Sequence, residues 1–266
     1  VNDLIQRLSR DERAAAKTLG KNEARYLVDL YYQIQGNRIV SNNQVRAAEK
    51  QGEPNAVLGW FAENHQLLEN QIKTSLDVYA SNDPVGAWMQ AQVGIGPVIA
   101  AGFLCRLELR PTVGAWWRFC GLDPSSKWEK GQKRPWNADL KRLCWIAGES
   151  FVKTSNHPRA YYGRLYRERK DYEIGKNLRG EYAAQAAATL ATGRYVRDTG
   201  AKAAYSEGRL PDAQIHRRSA RWAVKLFLSH VHDVWHRHEL GVAPPMPYPI
   251  AHLGHAHYLP VPHAAE

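Results

Sequence analysis

The sequence predicts a mainly α protein, a set of helices built around a central helix-hairpin-helix. Three observations predict it. Apolar residues recur at three- and four-residue spacing over most of the 266 residues. Turn residues stand between such runs at Gly36-Asn37, Gly52-Glu53-Pro54 and Gly121-Leu122-Asp123-Pro124. Residues 83–107 read as helix, tight glycine turn, helix. There Asp83 is placed to cap a first helix and Pro84 to begin it. Val93-Gly94-Ile95-Gly96-Pro97 then allows a turn with exposed amides, and Pro97 starts a second helix that packs through Val98, Ile99, Ala101, Gly102 and Leu104. A hairpin of this kind can receive a phosphate on its amides and helix dipole, and it can equally be a plain structural turn. The dinucleotide motif GxGxxG is set aside, because the preceding run is helical and Ile99 replaces the third glycine.

Taken in order, residues 1–19 predict a helix through Leu4, Ile5, Leu8, Ala15 and Leu19. A second helix over 21–35 is expected to break at Gly36-Asn37. A polar third begins near Ser41 and ends around Gly52-Glu53-Pro54. Residues 55–79 form a longer helix with Val57, Trp60, Phe61, Leu67, Leu68, Ile72, Leu76 and Tyr79 inward. After the hairpin, a short helix over 112–120, with Thr112 at its cap, packs through Val113, Trp116, Trp117 and Phe119. A turn at 121–125 leads into a polar loop, 126–135. Asn137 caps the next helix, whose Leu140, Leu143, Cys144, Ile146 and Ala147 face the core while Lys141 and Arg142 point elsewhere. Residues 157–179 are helical and highly charged, and 183–192 are helical through alanine. Residues 193–210 read as an irregular connection. The last strong helix, 212–239, buries Ile215, Ala220, Ala223, Val224, Phe227, Leu228, Val231, Val234 and Trp235. The expected organisation is a helical scaffold over 1–82, the hairpin core and basic loop over 83–150, a basic helical arm and connection over 151–211, and a basic helix with a Pro/His-rich tail over 212–266.

Charge is uneven along this order. The net charge is +10, yet residues 1–82 hold ten basic and ten acidic side chains. All of the excess lies behind them, which suits a nucleic-acid surface without choosing between DNA, RNA and an acidic membrane. Two places concentrate it. The loop carries Lys127, Lys130, Lys133 and Arg134 between Trp128 and Trp136. Cations interleaved with aromatics suit a phosphate backbone and base stacking, or else a solvated loop pinned by two tryptophans. The last helix loads its first half with Arg217, Arg218, Arg221 and Lys225, against its own dipole, an arrangement that an external anion would explain. Lys141 and Arg142 extend the basic set.

Cys105, Cys120 and Cys144 are scattered in apolar settings and predict buried free thiols in a reducing compartment. The charged, periodic N-terminal stretch is unlike a secretory leader, and no run is apolar enough to span a membrane. The expectation is a cytoplasmic protein without membrane partners. His252, His255 and His257, with His263 beyond and four histidines just before, are weak candidate metal ligands, since neither a cysteine nor an HExxH accompanies them. No cofactor is expected.

Val93-Gly94-Ile95-Gly96-Pro97, followed by Trp117-Arg118-Phe119-Cys120-Gly121-Leu122-Asp123-Pro124, resembles the C-terminal domain of an insertion-sequence transposase family. Its members pair an N-terminal RuvC-like domain, bearing four acidic residues, with a helical domain carrying a helix-hairpin-helix and an active-site serine. The resemblance covers about residues 85–150 and, more weakly, 218–228. It implies DNA binding, in some members guided by RNA. Two departures stand out. Residues 1–82 have no strands with spaced acidic residues. Ser125 and Ser126 sit several residues early for the nucleophile, with Trp128-Glu129 in its place. The expectation is therefore a phage or mobile-element DNA-binding protein that lacks catalysis. Phosphate contacts would come from Gly94, Gly96, Lys127, Lys130, Lys133, Arg134, Lys141, Arg142, Arg217, Arg218 and Arg221. One alternative is an active recombinase using Ser125 or Ser126, or a metal site among Glu108, Asp123, Glu129 and Asp139. The other is a helical homo-oligomeric assembly protein.

Overall fold

The computed structural model describes residues 5–252 and 258–262, and among them every regular element is helical. The chain divides into two compact units. The first holds Val1–Ala91, Ile95–Leu109 and His238–Gly241; the second holds Gln92–Gly94, Arg110–Arg237 and Val242–Glu266. They differ sharply in charge. The first has 11 Lys and Arg against 13 Asp and Glu, the second 25 against 13.

In the first unit, α1 (Arg10–Ala15) is shorter than the helix expected over 1–19. Ser9 forms a capping box with Glu12 that fixes its start. The residues before it are extended, because Ile5 and Leu8 donate their backbone N–H groups to Asn64 and Gln71, each at 3.0 Å. Residues 1–4, including Leu4, lie outside the described residues.

The expected break at Gly36-Asn37 does not occur. A single helix, α2, runs Lys21–Lys50. A lone glycine costs a helix only about 1 kcal/mol, and here both sides of it are tied down. Arg38 ion-pairs with Glu69, and Gln35 donates to the same carboxylate at 3.3 Å. Glu69 belongs to α3 (Ala56–Ser81), which pairs lengthwise with α2.

Two shorter helices follow, α4 (Pro84–Gln90) and α5 (Pro97–Arg106). Asp83 caps α4 as expected, accepting from Val85 N–H at 2.8 Å and Gly86 N–H at 3.0 Å. Three α2 side chains hold the C-terminal end of α5. Arg106 pairs with Asp29, Arg25 donates to the Cys105 carbonyl at 3.1 Å, and Lys21 reaches the Leu107 carbonyl at 3.3 Å. This end of the α2–α3 pair is therefore a packed core of Ala24, Val28, Ile72, Leu76, Met89 and Phe103. Among the described residues the start of α3 has no such third layer. Val57, Trp60 and Phe61, expected inward, are exposed, and so are Ile39 and Val40 of α2.

Gly86 sits where α4 comes closest to its neighbours. A β-carbon there would lie 2.1 Å from the Ala80 carbonyl oxygen and 2.6 Å from Leu104. The first of these is backbone and cannot rotate away. Gly86→Ala is expected to destabilise the first unit by about 3 kcal/mol, the upper range of overpacking. A thermal melt unchanged within 2 °C would contradict that packing.

The second unit contains α6 (Val113–Phe119), α7 (Ala138–Lys153), α8 (Tyr161–Leu178), α9 (Ala183–Ala191), α10 (Gly200–Ser206), α11 (Asp212–Leu240, to Arg237) and the short α12 (Tyr248–His252). Asn137 caps α7 through the Leu140 N–H, as predicted. Thr112 precedes α6 but makes no side-chain cap bond. The core is aromatic. Phe151 of α7 stacks on Tyr162 of α8 at 5.0 Å, and both meet Phe227 of α11 edge-on. Of the stripe expected on α11, Val234 alone is not fully buried.

The irregular connection expected over 193–210 contains α10, which the sequence reading missed. Thr199 caps it by accepting from the Lys202 N–H, and Tyr205 packs with Tyr182, Ala186, Leu210 and Ile215. Asn177 closes the same corner with two bonds to the Leu210 backbone, at 2.8 and 2.9 Å.

Candidate nucleic-acid interface

The basic residues of the second unit do not all share one fate. Lys127, Lys130, Lys133, Arg134, Lys141, Arg217 and Arg221 are exposed, and none forms an ion pair among the described residues. Elsewhere in the unit three basic side chains of α8 are paired, Arg164 with Glu168 at 2.7 Å, Lys176 with Glu181 at 3.0 Å and Arg169 with Glu173.

Three of the unpaired cations converge. Lys141 from α7 and Arg217 and Arg221 from α11 line one cleft of about 320 Å³. The turn at 121–126 and the indoles of Trp136 and Trp145 complete it. Its floor is small and apolar, formed by Cys144, Gly148, Ala220 and Val224. Helical spacing explains the arrangement. Lys141, Cys144, Trp145 and Gly148 fall at three- and four-residue steps along α7, as do Arg217, Ala220, Arg221 and Val224 along α11.

The cations crowd one another. Burial lowers the pKa of Lys141, and the charges of Arg221 and Arg134 lower it further. Its ammonium lies over the Trp136 ring, 3.9 Å from the centroid. Lys225 behaves alike. Burial pushes its pKa down against the pull of Asp123, and its ammonium sits 4.1 Å from the Trp117 centroid. Asp123 and Glu149 also line the cleft, but neither forms an ion pair with Lys141, Arg217 or Arg221, so the three cations repel one another and favour an anion that enters.

The loop over 126–135 has no regular structure. Trp128 does not pin it to the core. Its Nε1–H donates to the Gln132 carbonyl at 2.7 Å within the loop, and Arg134 lies over its ring at 5.1 Å. Trp136 does pin its end, packing against Gly121 and under Lys141.

Arg218 is placed differently from Arg217 and Arg221. It turns toward α8, where its Nε lies 2.9 Å from the buried carboxylate of Glu173, and its guanidinium covers the Tyr182 ring. That N–H is not directed at the oxygen, so the contact is Coulombic and not a hydrogen bond. Arg218 is thus committed to the fold. The first turn of α11 carries Asp212, and the arginines begin a turn later, so the dipole conflict expected there is small. Arg142 is exposed on α7 and does not line the cleft.

The two hairpin glycines also part company. Gly94 has φ of +101° and belongs to the second unit, where its carbonyl accepts from Ser150 Oγ at 2.6 Å. A β-carbon there would press on Thr154 and Phe151 at 3.0 and 3.1 Å, so glycine is required on two grounds. Gly96, in the first unit, is the exposed N-cap of α5 and has open space around it.

Ser125 is a turn residue. Its N–H and Oγ–H both donate to Asp123 Oδ1, at 2.9 and 2.7 Å. Those bonds, helped by Arg118, hold the Asp123 carboxyl below its ordinary pKa. Ser126 faces the cleft. Glu108, Glu129 and Asp139 are absent from the cleft lining.

Among the described residues no group of three or more histidine, cysteine or acidic side chains is placed to hold a metal ion. His252 is exposed in α12, and His255, His257 and His263 lie outside the described residues. Three histidines of α11 bond to backbone carbonyls. His230 meets the Leu259 carbonyl at 2.9 Å, His232 the Arg110 carbonyl at 2.7 Å, and His236 the Val242 carbonyl at 3.0 Å. The three cysteines are buried free thiols, as expected. A second cavity, about 510 Å³, lies between α11 and residues 243–250 and 258–261 and is lined in part by Trp222, Leu226, Pro244, Met246 and Leu259.

His230 makes a pH-dependent contribution. Burial pushes its pKa down to about 4 from 6.5, despite the Leu259 bond. The unfolded chain therefore binds the proton first. The stabilisation is complete above pH 6.5 and is lost as pH falls through 4. The loss amounts to about 3 kcal/mol. Melting temperatures measured from pH 7 to 4 should fall for the wild type and less steeply for His230→Gln. Parallel slopes would contradict this assignment.

Among the described residues no helix is long and apolar enough to cross a membrane. Comparison with protein-family models, curated protein sequences and solved structures gives no match. The reading of the cleft therefore rests on its own chemistry.

Proposed function

We propose that the second unit binds nucleic acid, DNA in the first instance, with Lys141, Arg217 and Arg221 as the centre of the contact. Lys127, Lys130, Lys133 and Arg134 extend it along the loop, and Arg142 adds charge at its edge. The observation that carries this is the convergence of unpaired cations on one cleft beside exposed tryptophans. Ion pairs engage Arg164, Arg169, Lys176, Arg179 and Arg218 elsewhere in the unit, and none is formed by Lys141, Arg217 or Arg221 among the described residues. Phosphates satisfy such a cluster in a way that solvent alone does so less well. At the start of α5, Pro97 has no N–H and the Ile99 and Ala100 N–H groups bond the Gly96 carbonyl, so a phosphate there would depend on the Val98 N–H and the helix dipole if α4, the turn and α5 act as a helix-hairpin-helix. On this proposal the chain is a relative of the serine-bearing transposase domain that retains DNA binding and not strand transfer.

The test is a binding titration on duplex, single-stranded and branched DNA and on RNA, across a salt series. Binding that is tight at low salt and falls steeply with salt supports the proposal, and absence of binding to all four would end it. A second reading has one observation in its favour. Ser126 faces a cationic cleft, as a strand-transfer nucleophile would. Cleavage of supercoiled DNA that disappears in Ser126→Ala would establish it. A homo-oligomeric assembly role would draw on the exposed apolar residues Ile39, Val40, Val57, Trp60 and Phe61. A defined oligomer without nucleic-acid affinity would favour that role.

A further inference from the structure

The cleft contains more than phosphate binding needs. Its volume, about 320 Å³, is too small for a duplex and lies at the lower end of small-molecule sites. One wall is the indole of Trp145, which is 63% exposed although it sits on a helix with a well-packed opposite face. The other tryptophan of the cleft, Trp136, already carries Lys141 on its ring. Trp145 is therefore the aromatic surface left for a ligand.

A carboxylate also faces this cationic cleft. Glu149 lies on α7, one turn beyond Trp145, and lines the cleft with its side chain about one-third exposed. Neither Arg217 nor Arg221 pairs with it. The Nε2 of His216 lies 3.5 Å from the Glu149 carboxylate. His216 is held from behind, with Nδ1 2.7 Å from the Tyr166 hydroxyl. Burial, and then the charge of Glu149, raise the pKa of Tyr166. His216 stands between the Tyr166 hydroxyl and the Glu149 carboxylate, with its Nε2 edge toward the latter. A Tyr–His–Glu chain thus orients one carboxylate toward a site where phosphate binding alone would disfavour it. Phosphates repel a carboxylate. Nucleobase edges bearing N–H groups do not.

We infer that the cleft receives a single unstacked guanine from a single-stranded or locally opened nucleic acid. The base stacks on Trp145, its flanking phosphates lie on Lys141, Arg217 and Arg221, and its Watson–Crick edge meets Glu149. Guanine is favoured because N1–H and N2–H lie side by side and donate together to one carboxylate. Thymine and uracil offer one N–H between two carbonyls. Adenine and cytosine offer one amine beside a ring acceptor. Stacking tolerates every base, so selection falls to the carboxylate. This inference rests on the proposed nucleic-acid function and names its preferred substrate form.

The experiment uses the full chain and three fluorescent probes: a dT 12-mer, the same 12-mer with one central dG, and a duplex of equal length. Each is titrated by anisotropy against wild type, Trp145→Ala and Glu149→Gln. The dG-containing strand should bind wild type several-fold more tightly than the all-dT strand. Trp145→Ala should weaken binding of that strand by roughly five- to hundredfold, the span of one stacked base. Glu149→Gln should abolish the preference for dG. Trp145 is exposed and Glu149→Gln preserves shape, so both variants should melt like the wild type. Equal affinity of wild type for the two strands would overturn the inference, as would a dG preference that survives Glu149→Gln. If the duplex still binds in those cases, the phosphate-binding function stands. No binding to any probe would overturn both.

Discussion

Replacing Lys141, Arg217 and Arg221 together by alanine is expected to lower DNA affinity by on the order of 10²–10³-fold near 0.1 M salt. Each side chain offers a charged hydrogen bond of about 1.5–3 kcal/mol, and non-additivity brings the sum down. The salt dependence gives a sharper reading. Each lost phosphate contact removes about 0.9 from the slope of log affinity against log salt. A slope reduced by about 2.7 would assign one phosphate to each residue. Folding gives the control. All three side chains are exposed, none has a carboxylate partner among the described residues, and the neighbouring positive charges already lower the pKa of Lys141. Relief of that repulsion offsets the lost contact with the Trp136 ring, so melting should stay within about 1 kcal/mol of wild type. Stability traded against function in this direction is the mark of a binding site. An affinity within twofold of wild type, with the slope unchanged, would remove the cleft from the interface.

The second large effect concerns stability. Glu173→Ala is expected to destabilise the second unit by about 3 kcal/mol, the lower end for breaking a buried ion pair. The Glu173 carboxylate is fully buried. It accepts from Arg169 Nε at 2.8 Å and from the Tyr182 hydroxyl, and it faces Arg218. Burial alone would raise its pKa, but the bonds from Tyr182 and Arg169 and the two arginine charges outweigh burial and hold it below the ordinary value. Removing it leaves the Tyr182 hydroxyl and the Arg169 guanidinium without their acceptor and Arg218 without its counter-charge. Partial exposure of both guanidiniums keeps the loss at the low end, since water can reach them. For a unit of this size the midpoint should drop by roughly 6–12 °C. The linkage has a definite sign. A carboxyl with a depressed pKa stabilises the fold above the ordinary carboxyl range, and that contribution disappears as pH falls through its folded value. Thermal melts at pH 7 and pH 3 test this. The gap between wild type and variant should narrow in acid, and an equal gap at both would contradict the network.

Local chemistry made most elements legible. Asp83 and Asn137 cap where their side chains suggested, because an N-cap bond needs only three or four neighbouring residues. The α7 and α11 faces followed from periodicity for the same reason. Errors arose where distant residues overrode local preference. Glu69 holds α2 straight across Gly36, and the side chains of Asn64 and Gln71 draw residues 5–8 out of a helix. Val57, Trp60 and Phe61 are exposed because no third layer covers that end among the described residues, which no pattern within α3 encodes.

The candidate site divides in the same way. By itself the sequence determined that the protein is helical, that its positive charge lies behind residue 82, and that the cations stand among tryptophans. These depend on composition and short-range periodicity, which survive without coordinates. Only the tertiary structure decided which cations act together. Arg217 and Arg218 are adjacent in the chain, yet successive residues on a helix point about 100° apart. One therefore faces the cleft beside Lys141 while the other meets Glu173. The packing of α7 on α11 also decided the place of Glu149, which nothing in the sequence singled out. A carboxylate acquires its role from the groups that face it, and those groups lie 17 and 67 residues away along the chain, at Tyr166 and His216.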